Sequence, residues 1–178
     1  MNRQVEKGIP MKAVNAVLAA LLCLAGNAQA AAIQACDLTV DVTDTDPKGT
    51  NVREAPGGKV VGVLKLSLTE DDWIEVHIVG QSGDWFLIDK AVRVGDAEKT
   101  IFTGQGYVHL SVLGSYGLEN GMPIWSDHDE KSPLVAAEAM GEQDVKFLGC
   151  WGDFARIRAK EGAGWTKSLC LNSRTTCA

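Results

Sequence analysis

The chain has 178 residues, 17 Lys plus Arg against 23 Asp plus Glu, a formal net charge of −6, and 46% hydrophobic residues. The acid surplus argues against nucleic acid and anionic lipid as partners. The length suits one domain or two small ones.

Residues 1–30 read as an export signal. Lys12 follows an internal Met11, Val14 to Ala25 is an apolar run, and Ala28-Gln29-Ala30 is an A-x-A cleavage site, which places the mature start at Ala31. The run is short for a membrane span, and no later run is long enough. Cys23 is poorly placed for lipidation, because Leu22 before it is not small. Cleavage leaves 14 basic and 22 acidic residues, a net charge of −8. Such a surface suits solubility, or a basic protein partner. The expected location is periplasmic or secreted.

Leu38 to Val42 alternates apolar and polar residues, as a half-buried strand does. Asp44-Thr45-Asp46-Pro47-Lys48-Gly49 is turn chemistry. Strands are then expected at Asn51–Arg53, Lys59–Leu66, Trp73–Val79 and Trp85–Ile88, with a long hairpin excursion over Ala91–Gln105 and a closing strand at Tyr107–Leu110.

The chain then repeats itself. Gly80-Gln81-Ser82-Gly83-Asp84-Trp85 matches Gly149-Cys150-Trp151-Gly152-Asp153-Phe154 at an offset of 69 residues. A glycine-aromatic pair follows each copy, Gly106-Tyr107 and Gly164-Trp165, and Tyr107 and Trp165 are 58 residues apart. The first copy's excursion is therefore the longer. Strands of the second copy are expected at Leu134–Ala137, Val145–Leu148, Phe154–Ile157 and Gly164–Thr166. Pro123-Ile124-Trp125-Ser126 stands where Asn51-Val52-Arg53-Glu54 stands in the first. Repetition of this size indicates two copies of one small unit. Short strands with glycine turns make each an antiparallel barrel. The expected organisation is a signal at 1–30, a first barrel at 31–114, a linker at 115–121 and a second barrel at 122–178.

Asn51-Val52-Arg53, then Pro56, Val60-Val61-Gly62-Val63-Leu64, Gly83-Asp84-Trp85 and Gly106-Tyr107-Val108-His109 stand in one order. That series resembles the bacterial Src-homology-3-like (SH3b) domains. The second copy resembles them more loosely, having lost the Asn-Val-Arg signature. The resemblance implies a five-to-six-stranded barrel in each unit. It also implies binding of cell-wall peptides, glycans or proteins, with no catalysis of its own. Arg53 fills the family's arginine slot. Its favoured role is tying the first loop to the barrel, against contact with a ligand carboxylate.

Cys36, Cys150, Cys170 and Cys177 remain after cleavage, an even number suited to an oxidising compartment. Four cysteines allow three pairings, and the sequence does not choose. The expectation is Cys150 with Cys170 inside the second unit, and Cys36 with Cys177 joining the chain ends.

Five tryptophans raise the question of a ligand platform. Trp85 and Trp165 open strands and read as core. Trp73 flanks Asp71-Asp72 and fits either role. Trp125 and Trp151 lie at turns beside polar residues and, with Tyr116, are the candidate exposed contacts. Asp127-His128-Asp129-Glu130 is a loop acid run rather than a metal cluster, since neighbouring side chains on one strand point to opposite faces. His128 would make that loop sensitive to pH. No nucleophile elbow or phosphate loop occurs, as Gly104-Gln105-Gly106 lacks the third glycine and the helix. The sequence therefore reads as a non-enzyme without metal or cofactor. It would recognise peptidoglycan or a periplasmic protein through Arg53, Trp73, Tyr116, Trp125, His128 and Trp151. The alternative is an inhibitor or immunity protein that blocks a hydrolase or a secreted toxin.

Overall fold

A computed structural model describes residues 32–65 and 72–171. The expected signal segment and Cys177 lie outside the described residues. Among those described there is no α-helix, and no helix is long and apolar enough to cross a membrane. The chain is all-β and antiparallel. The strands are β1 (Gln34–Val42), β2 (Thr50–Arg53), β3 (Val60–Leu64), β4 (Trp73–Ser82), β5 (Trp85–Val94) and β6 (Lys99–His109). A 3-10 turn, Leu110–Val112, leads into β7 (Leu113–Leu118), β8 (Ile124–Trp125), β9 (Leu134–Ala136), β10 (Glu142–Trp151), β11 (Phe154–Ala159), β12 (Gly162–Thr166) and β13 (Leu169–Cys170).

The strand order shows how the repeat is built. It runs β3-β2-β6-β5-β4-β1-β7-β10-β11-β12-β8-β9, with β13 paired to β7. Read outward from the join, β1-β4-β5-β6-β2-β3 has the same connectivity as β7-β10-β11-β12-β8-β9. The 69-residue offset carries β4 onto β10, end to end. The sheet runs from one free edge to the other and is not closed. The join is made by equivalent strands, with Asp41 opposite Gly114 and Val42 opposite Leu113. Most of the stretch read as a linker is therefore β7. Residues 31–178 cluster as one compact unit.

The two glycine-aromatic pairs have one cause. A Cβ on Gly106 would lie 2.3 Å from Val52 Cγ1, and one on Gly164 would lie 2.5 Å from Ile124 Cγ2 and from the Trp125 carbonyl. In each half the short strand β2 or β8 crosses too close to its neighbour for any side chain. The pairing that results is equivalent in the two halves, Arg53 with Tyr107 and Trp125 with Trp165.

Alternation in the sequence maps onto burial. Ile74, Val76 and Ile78 of β4 are fully buried, whereas His77 is half-exposed. Phe86, Ile88, Val108, Phe147 and Ile157 extend the same core across both halves. Phe86 and Phe147 meet at a ring-centroid distance of 5.0 Å. The excursion over Ala91–Gln105 is largely sheet. Ala91 pairs with Val76 and Phe102, and Val92 with Glu75. Only its tip, at Gly95–Glu98, is free of strand structure.

The disulfide expectation is corrected. Cys36 bonds to Cys150, 114 positions further along the chain, with Cα atoms 5.7 Å apart, and Cys170 is engaged in a disulfide as well. The expectation kept one bridge inside the second unit and used the other to tie the chain ends, so neither linked the start of the first half to the middle of the second. In the fold β1 lies against the second half. Cys36 makes a parallel bridge to Gly152, Asp37 N–H donates to the Gly152 carbonyl at 2.7 Å, and Gly152 N–H donates to Ala35 at 3.0 Å. Gln81 adds a second tie, its Oε1 accepting the Cys150 N–H at 2.9 Å.

Two stability predictions follow from these contacts. Replacing Cys36 and Cys150 together by serine lowers the unfolding free energy by about 3–5 kcal/mol, because the bridge closes a long loop. Urea denaturation measures it. Gly164→Ala costs about 1–3 kcal/mol through overpacking against the backbone of β8, read as a lowered denaturation midpoint with an unchanged slope.

Candidate binding site

Three of the residues singled out in the sequence come together in the second half. His128 stands in the loop from Ser126 to Pro133, between β8 and β9. Its ring lies 4.4 Å from that of Trp151, tilted by 37°, and 5.3 Å from that of Trp165, near edge-on at 61°. Trp125 pairs with Trp165 across β8 and β12 and meets Phe154 edge-on at 5.8 Å. Five rings from β8, its loop, the β10–β11 hairpin and β12 thus form one aromatic group. Trp151 is the outermost, 47% exposed where a buried tryptophan would show little.

The loop that carries His128 is tied down by its own polar groups. Ser126 N–H donates to the Pro133 carbonyl, Asp127 N–H to Ser132 Oγ, and Lys131 N–H to Asp129 Oδ1. Asp127 Oδ1 accepts the His128 N–H at 2.8 Å and lies 2.6 Å from its Nδ1. The His128 N–H, with a smaller part from the charge of its ring, holds the Asp127 carboxyl below its ordinary range. Lys167 Nζ reaches Glu130 at 2.7 Å and Asp153 at 2.9 Å, and lies 4.6 Å from the centre of the Phe154 ring. These hydrogen bonds raise the Lys167 pKa. The group is on the surface, so its effect is to link the loop to the hairpin turn rather than to stabilise the fold. Asp127, Asp129 and Glu130 face different partners and do not converge on one point.

Such a surface can stack on a flat or CH-rich ligand, with acidic groups at its rim. Planar aromatics held by neighbours lose little entropy on binding.

The other candidates lie elsewhere. Arg53 Nη1 donates to the Gly58 carbonyl at 2.7 Å and closes the turn after β2. Trp73 is 7% exposed and donates from Nε1 to Glu75 at 2.9 Å. Tyr116 is exposed on β7 beside a separate groove lined by Thr43, Leu110, Val145 and Leu148. Trp165, Phe154 and Lys167 belong to the aromatic group although the sequence reading left them out as contacts. The repeat itself held the signal. Trp85 and His109 in the first half, at 5.0 Å, occupy the places of Phe154 and Lys167 in the second. The two halves therefore share one arrangement of a ring under a basic side chain.

His77 forms a separate polar cluster. Its Nδ1 is 2.7 Å from Asp89 and its Nε2 3.0 Å from Asp37. Carboxylates only accept, so both contacts are hydrogen bonds at once when the ring carries both protons. Burial lowers the His77 pKa, but hydrogen bonds and charge from Asp37 and Asp89 outweigh it and leave the value raised.

No family model and no curated protein matches the chain. Among solved structures, one described as the structure of NlpC2 from Trichomonas vaginalis is 13% identical, covering 76% of this chain and 48% of that one, with a TM-score of 0.31. This chain thus spans about half that protein's length, and a likeness at this score carries no argument.

The His77 cluster gives a pH prediction. A raised folded-state pKa means a contribution fully present below pH ~6.5 and lost as pH rises through the folded value. The stability difference between the protein and His77→Asn should therefore shrink from pH 5.5 to pH 8.5. Denaturant titrations at the two pH values check it, and a difference that stays constant would refute it.

Proposed function

We propose that the chain is an exported, non-catalytic binding protein of two SH3-like barrels that recognises peptidoglycan components or a periplasmic protein. Convergence of Trp151, His128, Trp125 and Trp165 on one face carries this reading. The repeated six-strand connectivity supports the two-barrel reading, since the order of motifs that resembles the SH3b domains maps onto the first half. The Cys36–Cys150 bridge accords with an oxidising compartment. Exposed aromatics on a braced loop suit stacking on a sugar or a stem peptide better than they suit catalysis.

The inhibitor or immunity reading draws on a different observation. Residues 31–178 carry a net charge of −8, although the aromatic face itself carries both signs, with Asp127, Glu130 and Asp153 beside Lys167 and with Arg156 over the Trp165 ring. A basic hydrolase or toxin would be steered toward such a surface.

Protein with its disulfides formed, incubated with purified sacculi and separately with periplasmic extract, distinguishes the readings. Retention on sacculi that survives salt makes it a wall binder. A stoichiometric protein partner makes it an inhibitor, immunity or scaffold protein. In either case Trp151→Ala should weaken binding by roughly tenfold or more, the effect of losing an aromatic anchor. Tyr116→Ala, on the other groove, should leave it unchanged. Equal losses from both variants would remove the aromatic face from the reading.

A further inference from the structure

The join between the halves contains a group that serves no evident packing purpose. Asp41 sits on β1 opposite Gly114 of β7 and opposite Glu75 of β4. It has no accessible surface, and no hydrogen bond of regular geometry reaches either carboxyl oxygen. An ionised carboxylate there would be buried, poorly solvated and beside a second acid. The ladder it belongs to is only two pairs long, extended by one bond from the Thr43 amide to the Val112 carbonyl.

We propose that Asp41 makes the β1–β7 join acid-held: the join stays closed while this carboxyl is neutral and loosens when it ionises. Burial, followed by the charge of Glu75, pushes its pKa up to about 9, with the Tyr116 backbone N–H pulling the other way. The charged groups around it are of both signs, and burial is the larger effect. β4 presents the like-charged Glu75. β7 presents the Tyr116 amide, while Gly114 and Ser115 bring no charge. On β5, Val92 stands opposite Glu75, and Lys90 stands opposite His77, one pair further along that face. On β10, Asp144 and Lys146 line the groove they share with Gly114 and Tyr116. Tyr116 thereby acquires a role at the join, through its backbone.

The sign follows from the raised value. The unfolded chain releases this proton above pH ~4, whereas the folded chain keeps it to about pH 9. The contribution of Asp41 is fully present below pH ~4 and is lost as pH rises to 9, with the folding constant falling about tenfold per pH unit between the two.

The experiment compares the protein, disulfides intact, with Asp41→Asn. Urea denaturation at pH 5, 6, 7 and 8 should give a folding constant that falls about tenfold more per unit in the parent than in the variant. At pH 8.5 the Thr43 amide, which donates to Val112 at 2.9 Å beside the join, should exchange faster in the parent than in the variant. Amides of the β4–β5 hairpin should not differ. Comparison at one pH cancels the intrinsic exchange rate. Equal pH slopes for the two proteins would overturn the proposal. If Asp41→Asn does not fold, carbon-13 titration of the Asp41 carboxyl in the parent decides alone. A midpoint several units above the ordinary aspartate value supports the proposal, and one near pH 4 overturns it.

Discussion

β1 has neighbours on both sides, and the rest of the molecule depends on that placement. On one side it runs along β4 for most of its length. On the other its last residues pair with β7, and its first residues reach the β10–β11 turn through Cys36, Asp37 and Ala35. A strand with neighbours on both edges has its backbone groups satisfied by both. The disulfide and the Gln81 bond to Cys150 then fix its relation to the second half. Core residues from the two halves, Phe86 and Phe147 among them, meet across this join.

The repeat makes the join a contact between equivalents. β1 and β7 open their respective six-strand series, and each is followed by the same order of neighbours. Within that common scheme the halves have diverged where side chains face outward. Arg53 and Tyr107 in the first half correspond to Trp125 and Trp165 in the second, and Ser82 corresponds to Trp151. The first half uses its arginine to close a turn. The second has replaced the same places with rings that stack on one another and on His128. Gly106 and Gly164 are glycine in both halves, and a Cβ there would clash with Val52 or with Ile124 and the Trp125 carbonyl.

Much of the fold was legible because it is local. Alternation along Trp73–Val79, the Ser-Gly-Asp turn before Trp85 and the glycine-aromatic pairs each express a constraint acting over a few residues. Of the site, Trp125, His128 and Trp151 were legible one at a time, as large or titratable side chains beside turns. Their meeting was not, because 26 positions separate Trp125 from Trp151 and the loop from Ser126 to Pro133 has to fold back between them. Trp165 was taken for core because it opens a strand, yet it is only half-buried and its ring meets that of His128; Phe154 beneath the group is buried. Trp73 resolved the other way, going inside with its N–H satisfied by Glu75.

The sequence by itself determined the all-β class, the antiparallel hairpins, the duplication and the acidic balance, because period-two burial, turn chemistry and internal similarity are written in neighbouring residues. Only the tertiary structure decided that Cys36 meets Cys150, that Asp41 is enclosed beside Glu75, and that three separate aromatic positions share one face. Each of those depends on strands far apart in the chain being laid side by side. Nothing local specifies which edge of β1 will receive the second half. That choice is made by the whole set of buried contacts at once.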